Sequence, residues 1–377
     1  MLKQRGIEGD VSRVRAVLLA GGFGTRLRPL TCTRPKPMLP VLDRPLLAWN
    51  IELLHKQLGV REVDVIACFL HERICAYFRD EWRGVRINYH IEESAAGDAG
   101  SLRHLMPTDE TLVVMYGDVL LLNADLQKLV SFHEEREALV TMLLTPVKNL
   151  QRYGVAEVDE EGRIRRFVEK PAKPEEAPSN LVNAGVYVFS PQMLRWVPPK
   201  RSRIAEELIP RAVREGRAYG MVHRGGWWDI GVLEDYLRAM RALLEALYPD
   251  GFIHRDAVVE ECEFQPPIFI GSGVEIRNSS LHAHSVVVGS GGSDQPRPTI
   301  IDSSLVANSI VFPGARIHTA RIRNSLVGEG VVIGRWSVIN NSVLADFVTV
   351  REGITVANSH ICPFKEVASD TYDTMLR

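Results

Sequence analysis

Hydrophobic residues along the first two thirds of the chain alternate between short aliphatic runs and segments with a helical period. The aliphatic runs predict six buried strands, at residues 14–19, 63–67, 85–91, 112–116, 139–144 and 182–189. Between the first two runs, one helical face carries the apolar residues Leu47, Ile51, Leu54 and Leu58. This alternation predicts an α/β domain over residues 14–247, with a Rossmann-like, mostly parallel mixed sheet flanked by helices.

A different pattern begins after residues 248–252, which we interpret as a linker. The dipeptide Asn-Ser occurs five times, beginning at Asn278, Asn308, Asn324, Asn341 and Asn358, and its last three intervals are 16, 17 and 17 residues. Aliphatic residues recur six positions apart, at Val327, Ile333 and Ile339 and then at Leu344, Val350 and Val356. Six-residue strands in a three-sided coil would bury these aliphatics and place each Asn at a corner. Residues 253–377 are therefore predicted to form a parallel β-helix, and the repeat resembles the hexapeptide-repeat left-handed β-helix.

Three further expectations concern the edges of these domains. Stacked coils leave flat faces and an exposed end, which favours a homo-oligomer formed through the β-helix. The first Asn-Ser interval is 30 residues, and a loop at residues 289–298 extruded from one coil would account for the excess. Residues 1–13 are expected to form a disordered N-terminal extension.

Composition argues against several classes of protein. The 45 Lys and Arg residues nearly balance the 47 Asp and Glu residues, so the net charge favours neither a nucleic-acid nor a membrane partner. The five cysteines lack the spacing of a zinc site, and their odd number argues against a disulfide framework. Because no apolar run approaches ~20 residues and the N-terminus lacks a signal-peptide core, a soluble cytoplasmic protein is predicted.

Candidate chemistry begins directly after the first predicted strand. Residues 18–41 include three closely spaced glycines, whose backbone N–H groups can approach phosphates without a Cβ in the way. Their spacing is neither that of a Walker loop nor that of a Rossmann turn, and a glycine loop alone is also compatible with a simple tight turn. The candidate nucleotide-binding residues here are Leu19, Ala20, Gly21, Gly22, Gly24 and Thr25. Arg26 can grip a polyphosphate bidentately, and Lys36 supplies a mobile point charge.

This segment resembles the signature of the sugar-1-phosphate nucleotidyltransferases. The resemblance continues in order and spacing over roughly residues 14–245, and a β-helix is a common companion domain in that family. The further matches are the base loop at residues 92–100, the metal-binding strand end Tyr116-Gly117-Asp118, the sugar-phosphate motifs Tyr153-Gly154-Val155, Glu169-Lys170-Pro171 and Asn183-Ala184-Gly185, and Trp228-Asp229-Ile230-Gly231 with a second metal aspartate. Each match alone also has a structural interpretation, such as a turn cap for Asp118.

The resemblance implies a role for each matched residue. The implied metal ligands are Asp118 and Asp229, which would hold Mg²⁺. The implied catalytic residues are Arg26, Lys36 and Asp118, of which the two cations would offset charge on the leaving pyrophosphate and in the transition state. The implied base-loop contacts to the nucleotide are Glu92, Gly97 and Asp98. The implied sugar-phosphate ligands are Gly154, Glu169, Lys170 and Asn183.

The implied substrates are an NTP and a sugar 1-phosphate, which are joined with release of pyrophosphate. The run Pro-Lys-Pro-Met at residues 35–38 resembles the mannose-1-phosphate guanylyltransferase branch. Guanine also offers two adjacent N–H donors that one carboxylate can accept, and Glu92, Glu93 or Asp98 could be that carboxylate. GTP and mannose 1-phosphate are therefore favoured. The open alternatives are a glucose-1-phosphate enzyme using UTP, dTTP or ATP, a bifunctional nucleotidyl and acyl transferase, and a non-catalytic regulatory subunit.

The sequence departs from the family pattern at a few positions. Asp98 stands where the base loop usually has Thr, and Tyr116 stands where Asn is usual before Gly-Asp. Val232 replaces a common Thr, and Ala205 aligns with a usual Glu. No proposed catalytic group is lost, but the substrate assignment depends on how these positions are accommodated.

Overall fold

The computed structural model of the protein describes residues 14–289 and 297–376. The predicted N-terminal extension and most of the predicted loop at residues 289–298 lie outside the described residues. Packing divides the chain into two compact units. Among the described residues, the first unit, here the sheet unit, comprises those up to Gly22 together with Trp49–His71 and Phe78–Asp229. The second, here the β-helix unit, comprises Phe23–Ala48, Glu72–Tyr77 and the described residues from Ile230 onward. The domain limits drawn from the sequence, at 14–247 and 253–377, stay a prediction.

The described residues before position 250 form short strands and helices in alternation. The strands are β1 Val14–Ala20, β2 Pro40–Val41, β3 Arg44–Pro45, β4 Glu62–Ala67, β5 Glu81–Trp82, β6 Val85–Ile91, β7 Thr111–Tyr116, β8 Val119–Leu122, β9 Val140–Pro146, β10 Gly154–Val158, β11 Ile164–Glu169, β12 Leu181–Phe189, β13 Ala218–Val222 and β14 Gly226–Asp229. The helices are α1 Leu46–Leu58, α2 His71–Phe78, α3 Asp98–Ser101, α4 Leu126–Glu135, α5 Ile209–Arg214 and α6 Leu233–Leu247. All six predicted strands are present, and α1 buries the predicted apolar face.

The main sheet of the sheet unit is mixed, with parallel strands at its centre. Its strand order is β11-β10-β12-β7-β1-β4-β6-β5, and β9 pairs with both β12 and β13. The ladders of β1 with β4 and β7, of β4 with β6, and of β9 with β13 are parallel, which confirms the predicted fold class. Strand β12 runs antiparallel to β7, with Val186 opposite Met115. The start of β12 therefore lies beside the carboxyl end of β7, where the candidate site residues follow.

The core of the sheet unit explains why these runs form strands. Apolar side chains of one face of the sheet are buried together, including Val17, Val114, Met142, Tyr187 and Phe189, and side chains of the other face, such as Leu18 and Met115, are buried as well. Burial removes each such side chain from water at about 25 cal/mol per Å² of apolar surface, which favours continuous aliphatic strands covered on both faces. The polar ends of the strands are left at the sheet edge.

The described residues from Phe252 onward form a parallel β-helix, as the repeat predicts. Its first sheet contains Phe252–Ile253, Ile268–Ile270, Ser285–Val287, Ile310–Val311, Leu326–Val327, Val343–Leu344, His360–Ile361 and Met375–Leu376. Its second sheet contains Val258–Glu260, Val274–Arg277, Thr299–Asp302, Arg316–His318, Val332–Ile333, Thr349–Val350 and Glu366–Val367. Its third sheet contains Glu263–Phe264, Ser280–Leu281, Leu305–Ala307, Arg321–Arg323, Val338–Asn340, Thr355–Ala357 and Thr371–Tyr372. The left-handed sense of the coil stays a prediction.

The coil geometry accounts for both parts of the sequence repeat. The six aliphatics predicted to be internal, from Val327 to Val356, are all buried in one core. The Asn residues of the five Asn-Ser dipeptides have φ between 47° and 50°, which is the left-handed conformation that Asn tolerates better than most residues. Neighbouring corners are joined by Asn side chains, as in the 2.8 Å bond from Asn341 Nδ2 to Asn358 Oδ1. The sequence repeat therefore follows from the burial of the aliphatic residues and from the backbone conformation at the corners.

Within the β-helix unit, the segment after the glycine loop is held by β-helix carboxylates. Arg34 is 9% exposed, and its Nη2 atom lies 2.6 Å from Asp346 Oδ2 and 3.0 Å from Glu329 Oε2. The Thr33 hydroxyl also donates to Asp346. Burial alone would lower the pKa of Arg34, but the charges of Asp346 and Glu329 outweigh it and raise that pKa. Arg34 therefore stays charged inside the unit.

Candidate functional site

The first half of the glycine loop lies beside the base loop in the sheet unit. Leu19 is near the end of β1, and its carbonyl accepts a 2.9 Å hydrogen bond from the N–H of Gly117. A Cβ built on Gly21 would lie 3.8 Å from Glu92 Oε2. Gly22 would meet nothing within 4 Å, so its backbone is open to an approaching group. The carboxyl end of β1 thus adjoins both Asp118, which follows Gly117, and Glu92.

The second half of the glycine loop belongs to the β-helix unit. Gly24 has φ of 60°, and a Cβ there would lie 3.3 Å from Lys36 Cβ, so the absence of a side chain lets the stem of Lys36 pack against the loop. Thr25 and Arg26 begin a 3-10 turn and are exposed, whereas Lys36 is 7% exposed. The convergence of Arg26 and Lys36 with the carboxylates of the sheet unit stays a prediction.

The two candidate metal ligands are neighbours across one strand pair. Strands β8 and β14 pair antiparallel with Asp229 opposite Val119, the residue after Asp118. The Asp229 side chain is 20% exposed. Among residues 14–289 and 297–376, no group of three or more His, Cys, Asp or Glu side chains could hold a metal ion. Two carboxylates that leave coordination positions for substrate phosphates and water fit Mg²⁺, which rarely uses an all-protein cage.

A cation missed in the sequence analysis lies beside this pair. Arg152 Nη2 is 4.0 Å from Asp229 Oδ2, and its guanidinium carbon lies 5.6 Å from the centroid of the Tyr153 ring. The Tyr153 ring packs edge-on against Trp227 at 5.3 Å, and Trp227 Nε1 donates to the carbonyl of Ala184 at 2.9 Å. Arginine is common in this chain, so composition gave no reason to choose this one. Its position just before Tyr153-Gly154-Val155 was the available signal.

The predicted sugar-phosphate residues on β10 and β11 lie together. Gly154 is opposite Glu169 in the ladder, and a Cβ there would lie 2.7 Å from Glu169 Oε2 and 2.4 Å from Phe167 Cζ. Glycine at position 154 therefore makes room for the Phe167 ring and for that carboxylate. Lys170 Nζ lies 3.3 Å from Glu169 Oε1. Lys170 also has φ of 47°, a conformation that costs a non-glycine residue about 1 kcal/mol and that clusters at functional sites.

The base loop is fixed by the two residues that depart from the family pattern. Asp98 Oδ1 accepts from the backbone N–H groups of Ala99 at 2.9 Å and Ile204 at 2.8 Å. Its other oxygen accepts from the Tyr116 hydroxyl at 2.6 Å. The unusual Asp and the unusual Tyr therefore satisfy each other. Gly97 is required next to them because a Cβ would lie 2.3 Å from the carbonyl oxygen of Ser202.

Glu92 is the carboxylate of the base loop with an unsatisfied oxygen. It is 7% exposed, and its Oε2 accepts a long 3.4 Å bond from the N–H of Ala96. Its Oε1 has no hydrogen-bond partner among the described residues, and His104 Nε2 lies 3.6 Å away. A buried acceptor without a donor is costly, so this oxygen is a ready partner for a donor on a ligand. Glu93 is exposed.

Asn183 lies at the start of β12, where the strand is irregular. Its Nδ2 donates to the Tyr187 hydroxyl at 2.5 Å, and its Oδ1 accepts from the N–H of Gly185 at 3.0 Å. Gly185 has φ of 76°, and a Cβ there would lie 2.7 Å from Tyr116 Cδ2. The glycine thus permits both the bend in the strand and the close approach of the Tyr116 ring.

The fold and these side chains define a class of transferase that handles nucleotides. A model of the family described as nucleotidyl transferase matches residues 15–246, and a model described as the GMPPB C-terminal domain matches residues 264–376. The chain belongs to the nucleotidyl transferase family, so the resemblance found in the sequence is confirmed. A divalent metal ion is general in this family.

Relatives align over most of the chain. A UTP–glucose-1-phosphate uridylyltransferase of Synechocystis sp. is 33% identical over 88% of this chain and 90% of its own length. A mannose-1-phosphate guanylyltransferase catalytic subunit beta of Danio rerio is 30% identical over 94% of this chain and 97% of its own length. Mannose-1-phosphate guanylyltransferase 1 of Arabidopsis thaliana is 29% identical over 95% of this chain and 98% of its own length.

A solved structure shares the fold. It comes from Bacillus anthracis and is provisionally named a glucose-1-phosphate thymidylyltransferase. Its TM-score is 0.56 at 22% identity, over 64% of this chain and 98% of that chain. Within the part of the chain that the structure describes, no helix is both long and apolar enough to cross a membrane.

Proposed function

We propose that this chain joins an NTP to a sugar 1-phosphate with release of pyrophosphate, and that GTP and mannose 1-phosphate are its substrates. The observation that carries the proposal is the register of β8 and β14, in which Asp229 is opposite the residue after Asp118. Asp118 follows β7, which pairs with β1, the strand that leads into the glycine loop, and Asp229 ends β14. A pair of acidic side chains at a phosphate-binding strand end is suited to transfer between phosphates.

The reaction is limited by charge, because the nucleophile and the electrophile are both anionic. A phosphate monoester has a second pKa near ~6, so the sugar phosphate is already largely dianionic at neutral pH and needs no strong base. Two unit charges at about 4 Å repel by about 4 kcal/mol at an effective dielectric of ~20. The main tasks of the protein are therefore to hold the two substrates in line and to neutralise charge.

The candidate residues divide these tasks. Lys170 would bind the sugar phosphate, while Glu169 and Asn183 would accept from and donate to the sugar hydroxyls. Arg26 and Lys36 would neutralise the leaving pyrophosphate and the transition state. Asp118 and Asp229 would hold Mg²⁺, which when bound would withdraw charge from the α-phosphate. Arg152, 4.0 Å from Asp229, adds a cation at this edge.

UTP and glucose 1-phosphate are the second candidate substrate pair, and the name of one relative supports them. The relative at 33% identity is named a UTP–glucose-1-phosphate uridylyltransferase, whereas several relatives at about 30% are named mannose-1-phosphate guanylyltransferases. Glu92 favours guanine, because its Oε1 has no donor and its Oε2 accepts only one long bond, so the two oxygens can accept from the two adjacent donors of guanine, whereas uracil offers a single donor between two acceptors.

Pyrophosphate release in a matrix of four NTPs and several sugar 1-phosphates, with Mg²⁺ present, tests the proposal. We expect GTP with mannose 1-phosphate to give the highest kcat/KM. Preference for UTP and glucose 1-phosphate would select the second pair. Absence of pyrophosphate release from every pair would reject the enzyme activity, and acyl-CoA consumption with a sugar phosphate would reveal the bifunctional alternative.

The choice of nucleotide has its own prediction at Glu92. Replacing Glu92→Gln exchanges one acceptor for a donor, so one of the two guanine donors loses its partner. We expect kcat/KM for GTP to fall about tenfold or more, while kcat/KM for UTP changes by no more than about threefold. The exposed neighbour provides the control, since Glu93→Gln should leave both values unchanged. An unaltered ratio of GTP to UTP in Glu92→Gln would refute the assignment of the base-binding carboxylate.

Two wider expectations complete the proposal. All five cysteines are free thiols, which suits a cytoplasmic setting. Large apolar side chains on the last coil, Tyr372 and Met375, are about half exposed, which suits association of copies through the β-helix.

A further inference from the structure

A buried chain of side-chain hydrogen bonds connects the base loop to the sugar-phosphate pocket. Its members, here called the phenol chain, are Asp98, Tyr116, Tyr187 and Asn183. The Tyr116 hydroxyl lies 2.6 Å from Asp98 Oδ2 and 3.2 Å from the Tyr187 hydroxyl, and the latter lies 2.5 Å from Asn183 Nδ2. All four residues are in the sheet unit. The phenol chain connects residues of α3, β7 and β12, which are separate elements of that unit.

The direction of every proton in the phenol chain is set by its one carboxylate. An ionised Asp98 can only accept, so Tyr116 must donate to it. The Tyr116 oxygen is then available only as an acceptor, and Tyr187 must donate to it. The Tyr187 oxygen must in turn accept from the amide of Asn183. The Asn183 amide is therefore held with its nitrogen toward Tyr187 and its oxygen toward the N–H of Gly185.

The surroundings of Tyr187 bury its ring and keep its hydroxyl protonated. The Tyr187 side chain is fully buried, packs edge-on against Tyr116 with ring centroids 5.8 Å apart, and stacks on Phe189 at 5.3 Å. Burial raises the pKa of the Tyr187 hydroxyl above its usual value, and the charge of Asp98 raises that pKa further. The Tyr187 hydroxyl therefore keeps its proton at neutral pH and can donate to the Tyr116 oxygen.

We propose that the phenol chain is a positioning device that fixes which atoms of Asn183 face the sugar. One N–H of the Asn183 amide donates to Tyr187, and one lone pair of its Oδ1 accepts from the N–H of Gly185. The amide nitrogen therefore keeps one N–H, and Oδ1 keeps one lone pair, for a ligand. That combination matches two neighbouring hydroxyls of a sugar, one of which accepts while the other donates. This inference rests on the proposed function, because it assigns a sugar phosphate to the pocket that contains Asn183.

The two departures from the family pattern then have one explanation. Tyr116 and Asp98 supply the first two links, and neither a Thr at position 98 nor an Asn at position 116 would impose this one-way order, since a hydroxyl and an amide both donate and accept. Tyr116 and Tyr187 act through Asn183 and are positioning residues. Sugar selectivity is thereby coupled to the loop that holds the nucleotide base.

Steady-state kinetics of the full chain with Tyr116→Phe, Tyr187→Phe and the double variant test the proposal. We expect each single variant to raise KM for the sugar 1-phosphate about tenfold, and we expect Tyr187→Phe, whose hydroxyl does not contact the base loop, to leave KM for the NTP within about twofold. Because the links act as one unit, the double variant should be no worse than either single variant. Tyr89→Phe is the matched control, since the Tyr89 hydroxyl donates to a backbone carbonyl, that of Arg79, at 2.6 Å.

An isosteric variant gives an independent reading if removal of a hydroxyl disturbs folding. In Asp98→Asn the side-chain nitrogen can donate to Tyr116, so the phenol chain can reverse and turn the Asn183 amide around. We expect the ratio of kcat/KM for mannose 1-phosphate to that for glucose 1-phosphate to change by about fivefold or more. Unchanged sugar KM in both Tyr variants, multiplied effects in the double variant, or an unchanged sugar ratio in Asp98→Asn would overturn the proposal. If the unaltered protein turns over no sugar 1-phosphate, the proposed function itself fails.

Discussion

Replacing Asp118→Asn is expected to lower kcat for pyrophosphate release by a factor on the order of 10² or more. The amide keeps the shape of the carboxylate but removes the charge that would hold a divalent cation. In the pairing of β8 with β14, Asp229 lies opposite Val119, the residue after Asp118. Loss of the Asp118 charge therefore leaves one acidic ligand where the proposal needs two. The measurement is the initial rate at saturating GTP and mannose 1-phosphate over a Mg²⁺ titration. A parallel Mn²⁺ binding measurement should show weaker binding by the variant.

A matched aspartate separates this effect from a general loss of fold. Asp125 is exposed and caps α4 by accepting a 2.8 Å bond from the N–H of Lys128. Asn is as good a cap as Asp, so Asp125→Asn should retain full activity. If Asp118→Asn keeps more than about a tenth of the original kcat, or binds Mn²⁺ as tightly as the unaltered protein, the carboxylate pair is not the metal site.

Replacing Asp346→Asn is expected to lower the free energy of unfolding of the β-helix unit by about 3 kcal/mol. The Arg34 guanidinium is buried, and one oxygen of Asp346 is 2.6 Å from its Nη2. The other oxygen of Asp346 accepts a 2.8 Å bond from the N–H of Glu329. An amide can keep that second bond but leaves the cation with only Glu329, whose side chain is 40% exposed. The loss is therefore one of charge compensation, not of packing.

Urea unfolding followed by circular dichroism measures this loss, with an exposed carboxylate on the same unit as control. Asp370 accepts a 2.8 Å bond from the N–H of Thr355, and Asp370→Asn should change the unfolding free energy by less than about 0.5 kcal/mol. The double variant Arg34→Met with Asp346→Leu should recover much of the loss, because it removes both buried charges. If Asp346→Asn and the unaltered protein have the same free energy of unfolding, Asp346 does not compensate the buried charge of Arg34.

The substitution Asp346→Asn should also lower kcat for pyrophosphate release. Arg34 lies two residues before Lys36, and both belong to the segment that packs within the β-helix unit. A loosened Arg34 would leave Lys36 less precisely held, so kcat should fall while the exposed Asp370→Asn control stays fully active. The carboxylates of the β-helix would then contribute to turnover without touching a substrate.

The sequence was most informative where the structure is periodic or continuous. The six aliphatic runs became strands, and Leu47, Ile51, Leu54 and Leu58 lie on the buried face of α1. Each of these outcomes follows from local spacing and burial, which a single segment of sequence carries by itself. The Asn-Ser repeat gave the coil corners for the same reason, since the need for positive φ recurs once per turn.

The sequence was least informative where the site depends on contacts between distant segments. It marked Asp98 and Tyr116 as two separate irregularities, and only the packing of α3 against the end of β7 made them partners. It offered three carboxylates as the base acceptor, and tertiary contacts left Glu92 with an unsatisfied oxygen while occupying Asp98. The sequence does not distinguish Arg152 from the other arginines. Only the fold, in which Arg152 Nη2 lies 4.0 Å from Asp229 Oδ2 at the end of β14, singles it out.

By itself, the sequence determined the fold class, the family, the repeat of the β-helix and the set of residues with suitable chemistry, because spacing and residue type are properties of the chain. Tertiary structure alone decided which of those residues satisfy one another and which keep an atom for a ligand. Hydrogen-bond satisfaction is a property of pairs brought together by the fold.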